Sequence, residues 1–329
     1  MSWDEIFGNA ARIEHLKKII AEDKFPHAVI FSGTAGVGKR KIAETCAAAI
    51  LCENPSGGEP CGACENCRLM AAGSHPDFSV VEPEESKSAP NIKIAQIRAL
   101  QAETAVKPIR SARRVVIIDG AELMNNASAN CLLKTLEEPT GDTIFILTTA
   151  NRAGLLMTMR SRCVTINFDK IPAADIQTAL ELRGIEKNRA ETIALIADGS
   201  IGRALKLETS GGYELRESAL DFIERLCGGD VTSEDIFTKG AEIDKWTREN
   251  FGEFVGYVQK ILRDIYLLDA AAPFNADLKP RLEKLKIPAE TLCTLFDEGT
   301  EIQRRLRSNA ALRLLAESYF FRLKFAFKS

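Results

Sequence analysis

The sequence predicts an α/β fold, a parallel sheet flanked by helices, with helices alone in the second half of the chain. Three observations predict it. An apolar run at 28–31 feeds a glycine-rich turn and then a helix. A second apolar run, 115–118, ends on an acid, Asp119. From residue 213 to the last of the 329 residues, apolar side chains recur mainly at helical spacing. Continuous apolar runs alternating with helical patterns mark strands buried on both faces.

Taken in order, Ala28-Val29-Ile30-Phe31 reads as the first strand, and Gly33-Thr34-Ala35-Gly36-Val37-Gly38-Lys39-Arg40 as the turn. Lys39–Leu51 follows as a helix with Ile42, Cys46, Ala49 and Ile50 near one face. The turn fits the phosphate-binding pattern G-x-x-x-x-G-K-[ST] at every position but the last. A strand–turn–helix unit aims free backbone N–H groups and a helix N-terminus at a phosphate chain. Gly33, Gly36 and Gly38 permit the tight turn and close approach to an anion, and Lys39 adds a point charge for the outer phosphates. Arg40 stands where Ser or Thr would hold Mg²⁺. A guanidinium cannot ligate a cation, although it can neutralise phosphate directly. A glycine-rich turn of no function is the bland alternative. Binding of ATP or ADP therefore stays open, and is expected to be weak or metal-free.

Residues 113–119 read as a buried strand that places Asp119 at the carboxyl end of the sheet, where ligands bind in open α/β folds. Gly120 comes next, and Glu122 is expected to point elsewhere once the segment turns helical. Strands at 143–147 and 164–168 complete the sheet. Residues 172–182, 188–197 and 200–207 then read as three short helices joined by Arg183-Gly184 and Asp198-Gly199, a small lid. Gly211-Gly212 is the expected linker. Beyond it, 246–268 and 292–324 carry apolar residues three or four apart, among them Phe254, Val258, Ile261 and Ile265. Pro280 and Pro288 sit near helix starts. The expected division is 1–168 for the sheet domain, 169–210 for the lid and 211–329 for a helical domain.

Apolar residues make up 45% of the chain and its net charge is −3, so no global positive field draws it onto nucleic acid. No stretch approaches the ~18 apolar residues of a membrane helix. The first residues, MSWDEIFGNA, lack a signal-peptide core. Nine cysteines without a secretory signal point to a reducing cytoplasm, where clustered cysteines usually mean metal.

Cys52, Cys61, Cys64 and Cys67 follow the spacing C-x8-C-x2-C-x2-C. Four thiolates satisfy tetrahedral Zn²⁺, and a closed shell leaves no position for activating water, so the expected metal is structural. Iron–sulfur ligation and a disulfide pair are the alternatives at this spacing. Cys46, Cys131, Cys163, Cys227 and Cys293 lie in apolar contexts and are expected to be small core residues. Two basic stretches, Lys107, Arg110, Arg113 and Arg114, and then Arg304, Arg305, Arg307, Arg313, Arg322, Lys324 and Lys328, suit either DNA or a solvated face. No stacking platform accompanies them. Residues 82–85 are expected to form an exposed acidic loop, and His27, His75 and Lys134 to serve structure.

Several segments converge on one family. Pro26-His27-Ala28 precedes the turn, and the cysteine module follows its helix directly. Ser74-His75-Pro76-Asp77-Phe78 and Ile92-Lys93-Ile94-Ala95-Gln96-Ile97-Arg98 come next. Asn130-Cys131-Leu132-Leu133-Lys134-Thr135-Leu136-Glu137-Glu138-Pro139 and Ser161-Arg162-Cys163 complete the set. Together they resemble the bacterial sliding-clamp loaders, AAA+ assemblies of the DNA polymerase III holoenzyme, over roughly residues 5–207. The resemblance implies an oligomerising collar in the C-terminal helices. It also implies gamma/tau and delta subunits as partners, with the sliding clamp and primer-template DNA, and no membrane. Arg162 is the implied arginine finger, facing a neighbouring subunit's ATP, and Thr148 the implied sensor at the end of its strand.

ATPase members of that family carry Lys-Thr or Lys-Ser in the loop, Asp-Glu after the strand, and a phosphate-sensing arginine in the third lid helix. This chain has Lys39-Arg40, Asp119-Gly120, and Gly202 at the arginine's position with Arg203 one residue late. Arg203 is rotated by ~100° around the helix, so the role does not transfer to it. Three departures in one direction make the chain resemble the delta-prime branch, which hydrolyses little or nothing itself. A competent gamma/tau-like ATPase is the alternative, and a zinc-dependent nucleic-acid-binding module a third reading. No carboxylate trio suited to nucleotidyl transfer is present, so a polymerase activity would belong to the holoenzyme.

Overall fold

The computed structural model describes residues 1–84, 90–137, 142–209, 212–268, 274–306, 308 and 310–327. The chain forms two compact units: one holds the sheet through residue 183 with residues 199–203, the other 184–198 and the chain from 204 onward.

In the first unit a 3-10 turn, Trp3–Glu5, and α1 (Ala10–Ala21) precede β1 (Ala28–Ser32) and α2 (Lys39–Leu51). Then come α3 (Glu65–Ala71), β2 (Phe78–Val81), α4 (Ile94–Thr104), β3 (Arg114–Ile118), α5 (Asn126–Glu137) and β4 (Thr143–Thr149). The unit continues through α6 (Met157–Arg160), β5 (Val164–Asn167) and α7 (Ala173–Glu181). All five strands are parallel, in the order β2-β3-β4-β1-β5. Parallel neighbours require crossover helices, which cover both faces of the sheet, and the apolar runs of β1, β3 and β4 are buried accordingly. Ile30, Val116, Ile118, Phe145 and Leu147 meet Ile97 and Leu100 of α4 and Leu132 and Leu136 of α5 in one core. Register places Ser32 opposite Thr149 and Ile118 opposite Leu147, so the carboxyl ends of β1, β3 and β4 share one edge. That alignment gathers Gly33, Asp119 and Thr148 from distant parts of the sequence.

The second unit is helical: α8 (Lys187–Ile196), most of α9 (Ile201–Thr209), α10 (Gly212–Gly228), α11 (Ser233–Ile243), α12 (Arg248–Tyr266), α13 (Lys279–Leu282), α14 (Ala289–Arg305) and α15 (Leu312–Ala326). The stripe expected on α12 is its buried face, with Phe254, Val258, Ile261 and Ile265 all inside. Phe222, Phe251, Phe254, Tyr319 and Phe320 interlock around it, ring centroids 4.6 to 6.3 Å apart. Thr232 and Asp235 cap α11 reciprocally, each side chain accepting the other's backbone N–H.

Several expectations change here. The run 292–324 is two helices: Ser308 donates its N–H and its hydroxyl to the Arg305 carbonyl and turns the chain. Gly212 opens α10 instead of linking, and Gly211 lies outside the described residues. Cys46 and Cys163 are core residues, but Cys131 is half-buried, and Cys227 and Cys293 are exposed. Each of the exposed pair follows a buried leucine, Leu226 or Leu292, and one residue is a rotation of ~100° on a helix. The C-terminal arginines are spoken for locally. Arg304 and Arg305 pair with Glu301, Arg313 with Glu317 and Arg322 with Glu298, while Arg307 and Lys328 lie outside the described residues.

Tyr319 is fully buried, and its hydroxyl has no hydrogen-bond partner among the described residues. Burial also pushes its phenol far above the usual range. Tyr319→Phe keeps the ring and removes an unpaired polar group, so the urea midpoint should rise, by about 1 kcal/mol of stability at unchanged slope.

Candidate functional site

The turn after β1 has the geometry of a phosphate-binding loop. A Cβ on Gly33 would lie 2.5 Å from the Phe168 carbonyl oxygen, and one on Gly36, at φ +77°, 2.2 Å from the Ser200 hydroxyl. Gly38, at φ +90°, opens α2. Residues 199–203 close over the loop, with the Gly202 N–H donating to the Gly36 carbonyl at 2.9 Å. Gly202 thus serves close backbone packing, and Arg203 donates its N–H to Ser200 Oγ.

Lys39 is turned back on its own loop. Its Nζ donates to the carbonyls of Gly33 (2.7 Å) and Thr34 (2.8 Å). Burial lowers its pKa, with Glu122 and Asp119 opposing the shift. Arg40 lies among three carboxylates: Nε meets Glu44 at 2.6 Å, and Nη1 meets Glu82 at 2.5 Å and Asp119 at 3.2 Å. Burial opposes its charge, but Glu44 and Glu82 outweigh it and raise the guanidinium pKa. The second oxygen of Asp119 accepts the Thr148 hydroxyl, and Thr148 Oγ1 accepts the Gly120 N–H at 3.1 Å. In loops of this kind Mg²⁺ bridges the Ser/Thr and the strand Asp. Here a side chain from the former position reaches the latter directly.

Three neighbours escaped the sequence reading. Glu44 stands one helical turn after Arg40, a spacing that could have revealed it. Glu82 is exposed as expected but is also an ion-pair partner; nothing local announces it, because the residue after β2 reaches Arg40 only in the fold. Glu122 does not point away as expected: a 3-10 turn at Ala121–Leu123 returns it to the sheet edge, where it accepts the Ala150 N–H at 2.8 Å.

Arg162 lies between α6 and β5, about one-third exposed, paired with Glu137 and donating to the Thr158 carbonyl at 2.8 Å. It does not join the loop residues. His27 contributes its backbone carbonyl to Phe145, and Lys134 is exposed on α5.

The four cysteines converge. All Sγ atoms lie within 4.8 Å of one another, with Cys52–Cys64 and Cys61–Cys67 at 3.9 Å. A tetrahedron of sulfurs ~2.3 Å from a metal has edges of about 3.8 Å. Backbone N–H groups of Asn54, Cys61, Cys64 and Cys67 donate to Cys52, Cys61 or Cys64 sulfurs at 3.3 to 3.4 Å. The N–H groups of Ala63 and Cys64 lower Cys61 to about 6. This set can hold a metal ion with no ligand position left over.

Behind the cluster lies a buried polar network. Asn66, between two ligands, donates to the Leu51 carbonyl (2.8 Å) and Ser111 Oγ (3.1 Å), and accepts from Arg110. His75 Nδ1 accepts the Asp77 N–H. Asp77 accepts the N–H groups of Ile109, Arg110 and Ser111 at 2.6 to 2.8 Å. Arg113 pairs with Asp23, and Arg114 is buried, donating to the Glu103 and Val106 carbonyls. Lys107 and Arg110 are exposed, Arg113 is half-buried, and only Arg114 of this basic stretch is buried. Burial would raise Asp77, but the three N–H groups and Arg114 prevail and lower it. Its contribution is therefore present above the ordinary carboxylate pKa of about 4 and lost as pH falls through the lowered value. Asp77→Asn should lower the melting temperature at pH 7, and the gap to the parent should narrow on acidification below about pH 4.

The profile of the family described as DNA polymerase III, delta subunit, matches residues 8–172. DNA polymerase III subunit delta' of Pseudomonas aeruginosa is 37% identical over 198 residues, 60% of this chain and 60% of that protein. Subunit delta' of Bacillus subtilis is 34% identical over 228 residues, 69% of this chain and 68% of that protein. Subunit tau of the same organism is 32% identical over 211 residues, 62% of this chain but 37% of the longer protein. The match to the Pseudomonas relative thus spans less than two thirds of its length. By profile and by relatives, the chain belongs to the delta-prime family of DNA polymerase III subunits.

Proposed function

We propose that this chain works in DNA replication as the non-hydrolysing delta-prime subunit of a clamp loader. In this role it joins gamma/tau and delta subunits that open a sliding clamp and place it on primer-template DNA. The observation that carries the reading is Arg40: its guanidinium contacts Asp119, Glu82 and Glu44, so a fixed single charge sits among acids that would otherwise attract a divalent ion. Lys39, held on loop carbonyls, is also withdrawn from an incoming phosphate. With Gly120 after Asp119, the usual water-orienting carboxylate is missing from that position.

Arg162 acts in trans. Its forked donors suit the spread charge of a transferring phosphoryl group, and its ion pair with Glu137 is an exposed one that a phosphate can displace. The metal is structural Zn²⁺, fitted by the closed four-thiolate set. Residues 1–168 form the AAA+ domain, 169–210 the lid, and 211–329 the collar that holds the ring.

The second reading, a gamma/tau-like ATPase, is favoured by the similarity to tau and by the retained Lys39 and Asp119. Calorimetry on the purified chain should give no magnesium-dependent heat with ATP, and primed DNA should elicit no turnover. Hydrolysis that Lys39→Ala abolishes would establish the ATPase reading instead. In a reconstituted loader, Arg162→Ala should cut the rate at the one ATP site it faces by about 10³-fold or more, with assembly on gel filtration intact. Undiminished clamp- and DNA-stimulated turnover would refute the finger.

A further inference from the structure

The eight residues between the first two cysteine ligands, 53–60, do more than connect them. Their turn is closed by Ser56 and Glu59, which exchange backbone hydrogen bonds at 3.1 and 3.0 Å. Gly58, at the tip, lies against α1 so closely that a Cβ would stand 2.1 Å from the Lys17 carbonyl oxygen. Its own carbonyl accepts the indole N–H of Trp3 at 3.1 Å. Trp3 is 4% exposed, although it lies in a three-residue 3-10 turn before any long element of the chain. Lys17 completes the contact, its Nζ 3.0 Å from Glu59 and 5.9 Å from the centre of the indole ring.

A loop of this size has little apolar surface of its own, and its two ends are Cys52 and Cys61. The Cys61 N–H reaches the Cys52 sulfur at 3.3 Å, a contact weaker than bonds from both sulfurs to one metal. A metal bonded to both sulfurs fixes the loop's ends, and so fixes where the Gly58 carbonyl points. We propose that the metal-bound cysteine module is a clasp: through Gly58 it holds Trp3, and with it the segment leading into α1, against the body of the sheet unit. Metal and indole are then linked, and each favours the other's bound state by the same factor.

The inference rests on the reading of the cluster as a zinc site, and two arms test it. In Trp246→Phe, Trp3 is the only indole. Stripping zinc from this full-length variant with a chelator should shift its emission to longer wavelength and increase acrylamide quenching, with the far-UV spectrum retained. The converse arm measures zinc affinity by equilibrium competition with a chromogenic chelator: Trp3→Ala should bind its metal about fivefold or more weakly than the parent chain. That arm needs no folded metal-free protein, so it decides the matter if the stripped chain also loses its far-UV signal. Buried-type Trp3 emission in a verified zinc-free chain, or parental zinc affinity in Trp3→Ala, overturns the clasp. A purified chain that contains no zinc overturns the metal reading itself, which is a separate result.

Discussion

One guanidinium joins three segments that the sequence keeps far apart. Glu44 lies on the same helix as Arg40, Glu82 follows β2, and Asp119 follows β3, yet all three carboxylates meet that side chain. Three acids this close repel one another unless a cation stands between them. All four groups are partly open to solvent, which moderates both the repulsion and its relief. What makes the meeting possible is the parallel register of the sheet, since a slip of one residue would turn Asp119 to the other face.

A magnesium ion and an arginine solve the same electrostatic problem on different terms. The ion arrives with a nucleotide and leaves with it, so a loop that depends on it has two states. Arg40 is covalently present, Lys39 donates to the Gly33 and Thr34 carbonyls, and the Gly202 N–H donates to the Gly36 carbonyl. For the role proposed for Arg162 this permanence matters, because a charge fixed in the loop does not come and go with a nucleotide.

Where a signal was local, the sequence was a good guide. The P-loop helix runs over Lys39–Leu51 as read, because Gly38 fixes its start and small apolar residues fill its buried face. Continuous apolar runs gave β1, β3 and β4, which are buried along most or all of their length. They did not give the edge strand β2, Phe78–Val81, which is mostly half-buried and escaped the sequence reading. The cysteine spacing gave a cluster whose geometry is closed. What stayed hidden was relational. Glu82 and Glu122 acquire partners only when strands align, and the exposure of Cys227 and Cys293 depends on which side of a helix a neighbouring helix covers. Basic residues were the hardest to read. Arg110, Arg113 and Arg114 have the composition of a nucleic-acid surface, but their partners are Glu65, Asp23 and backbone carbonyls.

The two candidate sites of the sheet unit are built on opposite ends of one helix. Gly38 precedes the first residue of α2, and Cys52, the first of the four clustered cysteines, caps its last. Thirteen residues of helix span about 20 Å. That exceeds the ~8 Å over which exposed charges act at physiological salt. The charge of the cysteine cluster therefore has no direct hold on the phosphate loop, and a closed ligand set offers no chemistry there either. What the cluster can transmit is position. Asn66 ties it to the end of α2 through the Leu51 carbonyl and to the loop before β3 through Ser111 and Arg110, so the same module braces the helix that carries Arg40 and the strand that carries Asp119.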